Sequence, residues 1–173
     1  MTLRPIDVLR RRIEAQGFCG YDDAAISEFG PWLRLTTGLC AAWAAAATAD
    51  GSVYGLWLLA VVALLGAAFP HHPFDAIHDL AIRRWTHARP LPPNGIPRRF
   101  GCAVAAAWLL AAGAAFRLDA PASGYGLGFS LVGAALVPTL TDFCISSWLF
   151  GRLFGAPCRA RSSAFLERTT SGC

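Results

Sequence analysis

The chain contains no lysine: all fifteen of its basic residues are arginine. Charge of either kind is scarce, at 15% of residues, where a soluble domain of this size carries about a quarter. Hydrophobic residues make up 55% of the 173 and mean hydropathy is +0.44. So much apolar side chain is not covered by its own fold in water, and lipid is the solvent that accepts the remainder. The arginines are spread over several short stretches and form no single basic face, which excludes nucleic-acid binding.

The six cysteines, Cys19, Cys40, Cys102, Cys144, Cys158 and Cys173, form no CxxC pair and have irregular spacings. Neither a zinc-type nor a thioredoxin-type pattern is present. Cys40 and Cys102 fall inside apolar runs, where cysteine acts as a small hydrophobe.

Hydrophobic runs predict an all-α integral membrane protein with four transmembrane helices in two pairs. The spans are expected at about residues 32–49, 53–69, 99–116 and 125–150, so the membrane domain covers 31–154. Pro138 is expected to kink the last of them. Alanine-rich stretches such as Ala44 to Ala47 suit close helix contact. Residues 1–30 read as an amphipathic arm. Its helix over about 2–16 places Ile6, Leu9 and Ile13 opposite Arg10, Arg11 and Arg12, either against lipid headgroups or against the rest of the protein. Residues 155–173 read as a flexible tail.

Orientation follows arginine. The amino-terminal arm, the stretch between spans two and three, and the tail hold nearly all of it, whereas the short turns near Asp50 and Asp119 hold only Arg117. Four spans put the arginine-rich segments on one side. The positive-inside rule makes that side cytoplasmic in a bacterial inner membrane, with both termini there. Arg10, Arg11, Arg12, Arg83, Arg84, Arg98 and Arg99 are the expected contacts to lipid phosphates.

All four histidines lie between spans two and three, in a stretch that opens FPHHPFDAIHDL at Phe69. Pro73 marks a helix start, and an interfacial amphipathic helix is expected from there to about residue 86. Pro90, Pro92, Pro93 and Pro97 then enforce an extended connector with a turn at Asn94-Gly95. His71, His72, Asp75, His78 and Asp79 are the metal or cofactor candidates, because imidazole and carboxylate suit a transition metal, haem or a chlorophyll-type pigment. The competing reading makes His72 the residue before a proline, Asp75 a first-turn charge on the helix dipole and His78 an ordinary amphipathic-face residue. That reading is preferred, and with it no bound cofactor. Asp142 and Cys144 are the polar residues at membrane depth. Asp142 is read either as a cap or arginine partner or as a proton or ligand group.

The order of spans, with HHPFDAIHDLAIR at 71–83, LPPNGIPRRFGC at 91–102 and DFCISSWLF at 142–150, resembles an uncharacterised family of small bacterial integral membrane proteins. Its members are sometimes fused to, or encoded beside, thioredoxin-like or rhodanese-like domains. The family often has two cysteines three residues apart near the end of the last helix. Cys144 matches the first, and Ser147 stands at the second, so the dithiol is lost. No catalytic residues are established for the family and none are carried over. Three functions are therefore expected in order. The first is a non-enzymatic accessory or scaffold subunit of a larger membrane complex of respiratory or photosynthetic type. The second is thiol or sulfur handling through Cys144. The third is a small transporter or a metal-, haem- or pigment-binding protein using the His71–Asp79 cluster. The partners expected are the bilayer and other integral membrane subunits.

Overall fold

The computed structural model describes residues 5–77, 91–155 and 158. Among them are seven helices and no strand: α1 Pro5–Ala15, α2 Asp23–Ala49, α3 Val53–Ala68, α4 Pro73–Ile77, α5 Ile96–Arg117, α6 Pro121–Thr141 and α7 Ile145–Phe154.

Local chemistry sets most boundaries. The Asp22 carboxylate accepts the Ala25 N–H at 3.0 Å and so caps α2, leaving Asp23 in the first turn where the helix dipole favours it. The Ser52 hydroxyl does the same for Gly55 at the start of α3. Gly51, at φ 61°, turns the chain between them. Proline opens α6 and stands in the first turn of α5, positions that need no backbone N–H.

Helices α2, α3, α5 and α6 run alternately up and down. Each packs against its sequence neighbour, and α6 closes the ring on α2. Their seam is small and apolar: Ala44 and Ala47 meet Leu56, Leu59, Ala60, Leu109 and Ala112. Two indoles bind backbone across it. Trp108 Nε1 donates to the Leu127 carbonyl at 3.0 Å, and Trp57 Nε1 to that of Leu110 at 3.4 Å. The turns 50–52 and 118–120 lie at one end of the bundle. Helices α1, α4 and α7 gather at the other, where α1, the loop after it and α2 build a second core of Ile13, Phe18, Ala25, Ile26, Phe29 and Leu33 together with Leu91. The arm helix α1 is thus packed on the protein, with Ile13 fully buried.

The expectation of four spans is corrected. Two helices, α5 and α6, are long and apolar enough to cross a membrane. Helix α3 has 16 residues, a rise of about 24 Å against a hydrocarbon layer of about 30 Å. Helix α2 is long, yet Asp23, Glu28 and Arg34 interrupt it, and it starts well before the apolar run, with Pro31 inside it. The last expected span is two helices. It passes Pro138 and stops at Asp142, whose left-handed φ of 58° ends α6; α7 begins three residues later.

Candidate functional site

The sequence candidates converge on the end of the bundle where α1, α4 and α7 gather. His72 and Asp75 start α4 as a reciprocal cap. His72 Nδ1 accepts the Phe74 N–H at 3.3 Å, and Asp75 Oδ2 accepts the His72 N–H at 3.1 Å. Asp75 Oδ1 accepts the Thr36 hydroxyl at 3.0 Å, tying α4 to α2. His72 is 3% exposed and Asp75 2%, so these bonds replace water.

With Nδ1 accepting, the ring proton of neutral His72 is assigned to Nε2. Burial drives the imidazolium pKa down to about 4, with Arg98 pushing the same way and Asp75 opposing. Gly66 of α3 makes room for the ring. A Cβ there would come within 2.3 Å of His72 Cδ2.

The five histidine-cluster candidates thus separate. His72 and Asp75 are joined, His71 is exposed at the surface, and His78 and Asp79 lie outside the described residues. Among the described residues no three His, Cys, Asp or Glu side chains are placed to share a metal ion. The His72 Nδ1 lone pair and each Asp75 carboxylate oxygen already accept one hydrogen bond.

Arg98 lies within electrostatic range of His72, Cys40 and Cys102, as does Asp75. It is 8% exposed, with its guanidinium 5.8 Å from the Phe18 ring centroid. Its neighbour Arg99 caps α3, donating to the carbonyls of Ala67 and Ala68 at 2.8 Å each. Arg10 pairs with Asp23 and Arg12 donates to the Thr141 carbonyl. Arg11 is exposed to solvent. Arg83 and Arg84 lie outside the described residues.

Asp142 is 6% exposed and accepts both Arg34 Nε and Arg34 Nη2. Its carbonyl accepts Gln16 Nε2 at 3.0 Å. Arg12 and Gln16 of the arm and Arg34 of α2 therefore all bind the carboxy-terminal end of α6, where the dipole favours positive charge. This is the arginine-pairing alternative for Asp142. Cys144 sits at the start of α7 with its sulfur 3.2 Å from Ser146 Oγ. Arg152 stacks on Trp148 at 5.0 Å and makes no bond to that thiol.

Sequence reasoning missed Thr36, Gln16, Arg34 as the partner of Asp142, and a disulfide between Cys19 and Cys158, 139 residues apart. The bridge ties the loop before α2 to the segment after α7.

These observations define an all-helical protein with a hairpin, α5 and α6, long and apolar enough to cross a membrane, and a polar, arginine-rich cap on one end of the bundle. The chain belongs to the family of the domain of unknown function DUF4395, which matches residues 31–154. That match begins inside α2 and ends with α7, so both bridged cysteines lie outside it. No curated protein and no solved structure matches the chain.

Proposed function

We propose that this is an integral protein of the bacterial inner membrane, with its arginine-rich end and both termini cytoplasmic. It acts as a non-enzymatic accessory or scaffold subunit of a larger membrane assembly. The observation that carries this reading is where the apolar surface lies. Only 22% of the apolar stretch of α5 and 11% of that of α6 is buried, whereas an apolar core helix of a soluble protein is mostly buried. Leu58, Val61 and Leu64 of α3, Val104, Trp108 and Leu110 of α5, and Phe129, Leu136 and Leu140 of α6 are all exposed. That is too extensive a surface to face water.

The subunit role rests on α6. Gly126, Ser130 and Gly133 share one exposed face, and a Cβ at either glycine would meet nothing within 4 Å. Glycine inside a helix costs about 1 kcal/mol relative to alanine, and nothing among the described residues repays it there. A face of small residues repays it when another helix docks closely in the membrane.

The test is gentle detergent extraction from native membranes, affinity capture and mass spectrometry of the eluate. We expect stoichiometric integral membrane partners, and their loss in Gly126→Leu/Gly133→Leu at unchanged thermal stability. Migration as a lone small protein on a native gel, or release from membranes by alkaline carbonate, would overturn the reading.

A further inference from the structure

Among the described residues the ion pairs are Arg10–Asp23 and Arg34–Asp142; Arg98 is in neither. It is nevertheless more than nine-tenths buried, in the first turn of α5, and its Nη1 has no hydrogen-bond partner. Asp75, the acid that shares its surroundings, has Oδ1 taken by Thr36 and Oδ2 by the His72 N–H. Asn94 precedes Arg98 by one helical turn and is 7% exposed. Its backbone N–H is held by the Pro70 carbonyl at 2.6 Å, while neither atom of its side-chain amide has a partner. Gly95 supplies no side-chain cap to this helix, and its tight packing on Gly17 and the Gln16 carbonyl fixes the turn between the two residues.

A buried guanidinium nitrogen left without an acceptor is costly, and an unpartnered buried amide adds to the cost. Both defects fall on one turn at the amino-terminal end of a 22-residue helix, where the helix dipole favours negative charge.

We propose that this turn is the binding site of a phosphate-class oxyanion, held by Arg98 Nη1 and by the side-chain amide of Asn94. The amide has a donor and an acceptor to offer whichever way it is turned, so a phosphate that retains a hydrogen satisfies both, whereas sulfate satisfies only the donor. Arginine suits such an anion because its planar fork makes charge-assisted bonds. The group is either free phosphate or a phospholipid headgroup whose own hydroxyl, as in phosphatidylglycerol, supplies the donor that its phosphodiester lacks, as the site lies at the arginine-rich end of the bundle. The proposal stands apart from the membrane reading, because the first arm of its test uses detergent and no partner.

Thermal unfolding of the purified full-length chain is followed in non-ionic detergent against rising inorganic phosphate. Sodium chloride of equal ionic strength is the reference, and sulfate the competing anion. We expect a saturable rise of about 5 °C or more at a hundredfold excess over Kd, smaller with sulfate, and absent in Arg98→Gln. Arg98→Lys keeps the charge and guards against a folding defect; it should weaken phosphate binding on the order of tenfold. The second arm uses phosphatidylcholine vesicles with and without phosphatidylglycerol. Stabilisation by phosphatidylglycerol that Arg98→Gln removes assigns the anion to a headgroup. If neither phosphate nor phosphatidylglycerol raises the wild-type midpoint above the chloride reference, or Arg98→Lys responds as wild type to both, the proposal fails.

Discussion

Arg34 and Asp142, 108 residues apart, form a two-pronged ion pair that joins α2 to the carboxy-terminal end of α6. The acid side is 8% exposed and the arginine side 45%, so the carboxylate depends on the pair more than the guanidinium does. Gln16 reaches the backbone of the same residue and Arg12 that of Thr141. One helix terminus therefore fixes the arm, α2 and the turn into α7.

Removing the acid should loosen all three. Asparagine tolerates the left-handed backbone of residue 142, so Asp142→Asn isolates the charge. It should cost about 1–2 kcal/mol, with a smaller loss for Arg34→Met because that side chain is already half in solvent. Chemical denaturation of the two single variants and the double variant gives the coupling energy. A coupling near zero would mean that the pair is ornamental and that Gln16 and Arg12 alone hold the terminus.

His72 makes stability depend on pH. Its folded pKa of about 4 lies below the unfolded value of about 6.5, so the unfolded chain binds the extra proton between these values. Stability contributed by neutral His72 is complete above about pH 6.5 and is lost as pH falls towards 4, by up to about 3 kcal/mol. Protonation would also replace the Nδ1 lone pair that caps Phe74. His72→Asn, which keeps a capping acceptor and does not titrate, should flatten the midpoint between pH 4 and 6.5. An unchanged pH profile would show that the imidazole is not desolvated.

Thr48 and Gly128 test the packing of α2 on α6. Thr48 is fully buried and its hydroxyl has no partner, while a Cβ on Gly128 would lie 2.3 Å from that oxygen. Gly128→Ala should therefore cost about 1–3 kcal/mol. Thr48→Val keeps the shape and removes the unpaired oxygen, so it should be neutral or stabilise by about 1 kcal/mol. Thr48→Ala should relieve part of the Gly128→Ala penalty in the double variant. Additive losses would place the two residues out of contact.

Hydropathy made the helix at 53–68 legible almost to the residue, because serine and the glycine turn mark its start, whereas the helix at 96–117 was expected only from 99, because Pro97 was assigned to the connector although a first turn accepts proline. Hydropathy misplaced the start of α2. It registers only the apolar part of a helix, whereas the Asp22 cap lies beyond Pro31 in a polar stretch. At the other end, the span expected through residue 150 ran past the break at Asp142, although Asp142 was among the residues read as a cap; α6 continues through Pro138 and ends at Thr141. Arg98 and Arg99 look equivalent in sequence. Successive helical residues point about 100° apart, so one faces the interior and the other caps α3, and only the packing of Phe18 and α3 decides which. The helix start at Pro73 and Asp75 in its first turn were legible, but the reciprocal bonds between His72 and Asp75 were not. Thr36, which anchors the cap to α2, was not, because nothing local links positions 39 residues apart.

Cys19 and Cys158 carried no sequence signal either, and their bridge bears on orientation. It closes a 139-residue separation across the end of the bundle that holds Arg10, Arg11, Arg12, Arg98 and Arg99. The orientation proposed above puts that end in the cytosol, and a reducing cytosol keeps such thiols open. The two observations together predict a difference between cell and tube. Alkylation of intact cells before lysis should trap both cysteines as modified thiols, whereas protein purified in air should yield the Cys19–Cys158 peptide pair by mass spectrometry without reductant. The bridged form should then be more stable than Cys19→Ser by about 2–4 kcal/mol. Recovery of the bridge from cells quenched with alkylating agent would reverse the orientation. It would place the arm, the carboxy-terminal segment and the Arg98 turn on the oxidising face, with Asp50 and Asp119 facing the cytosol.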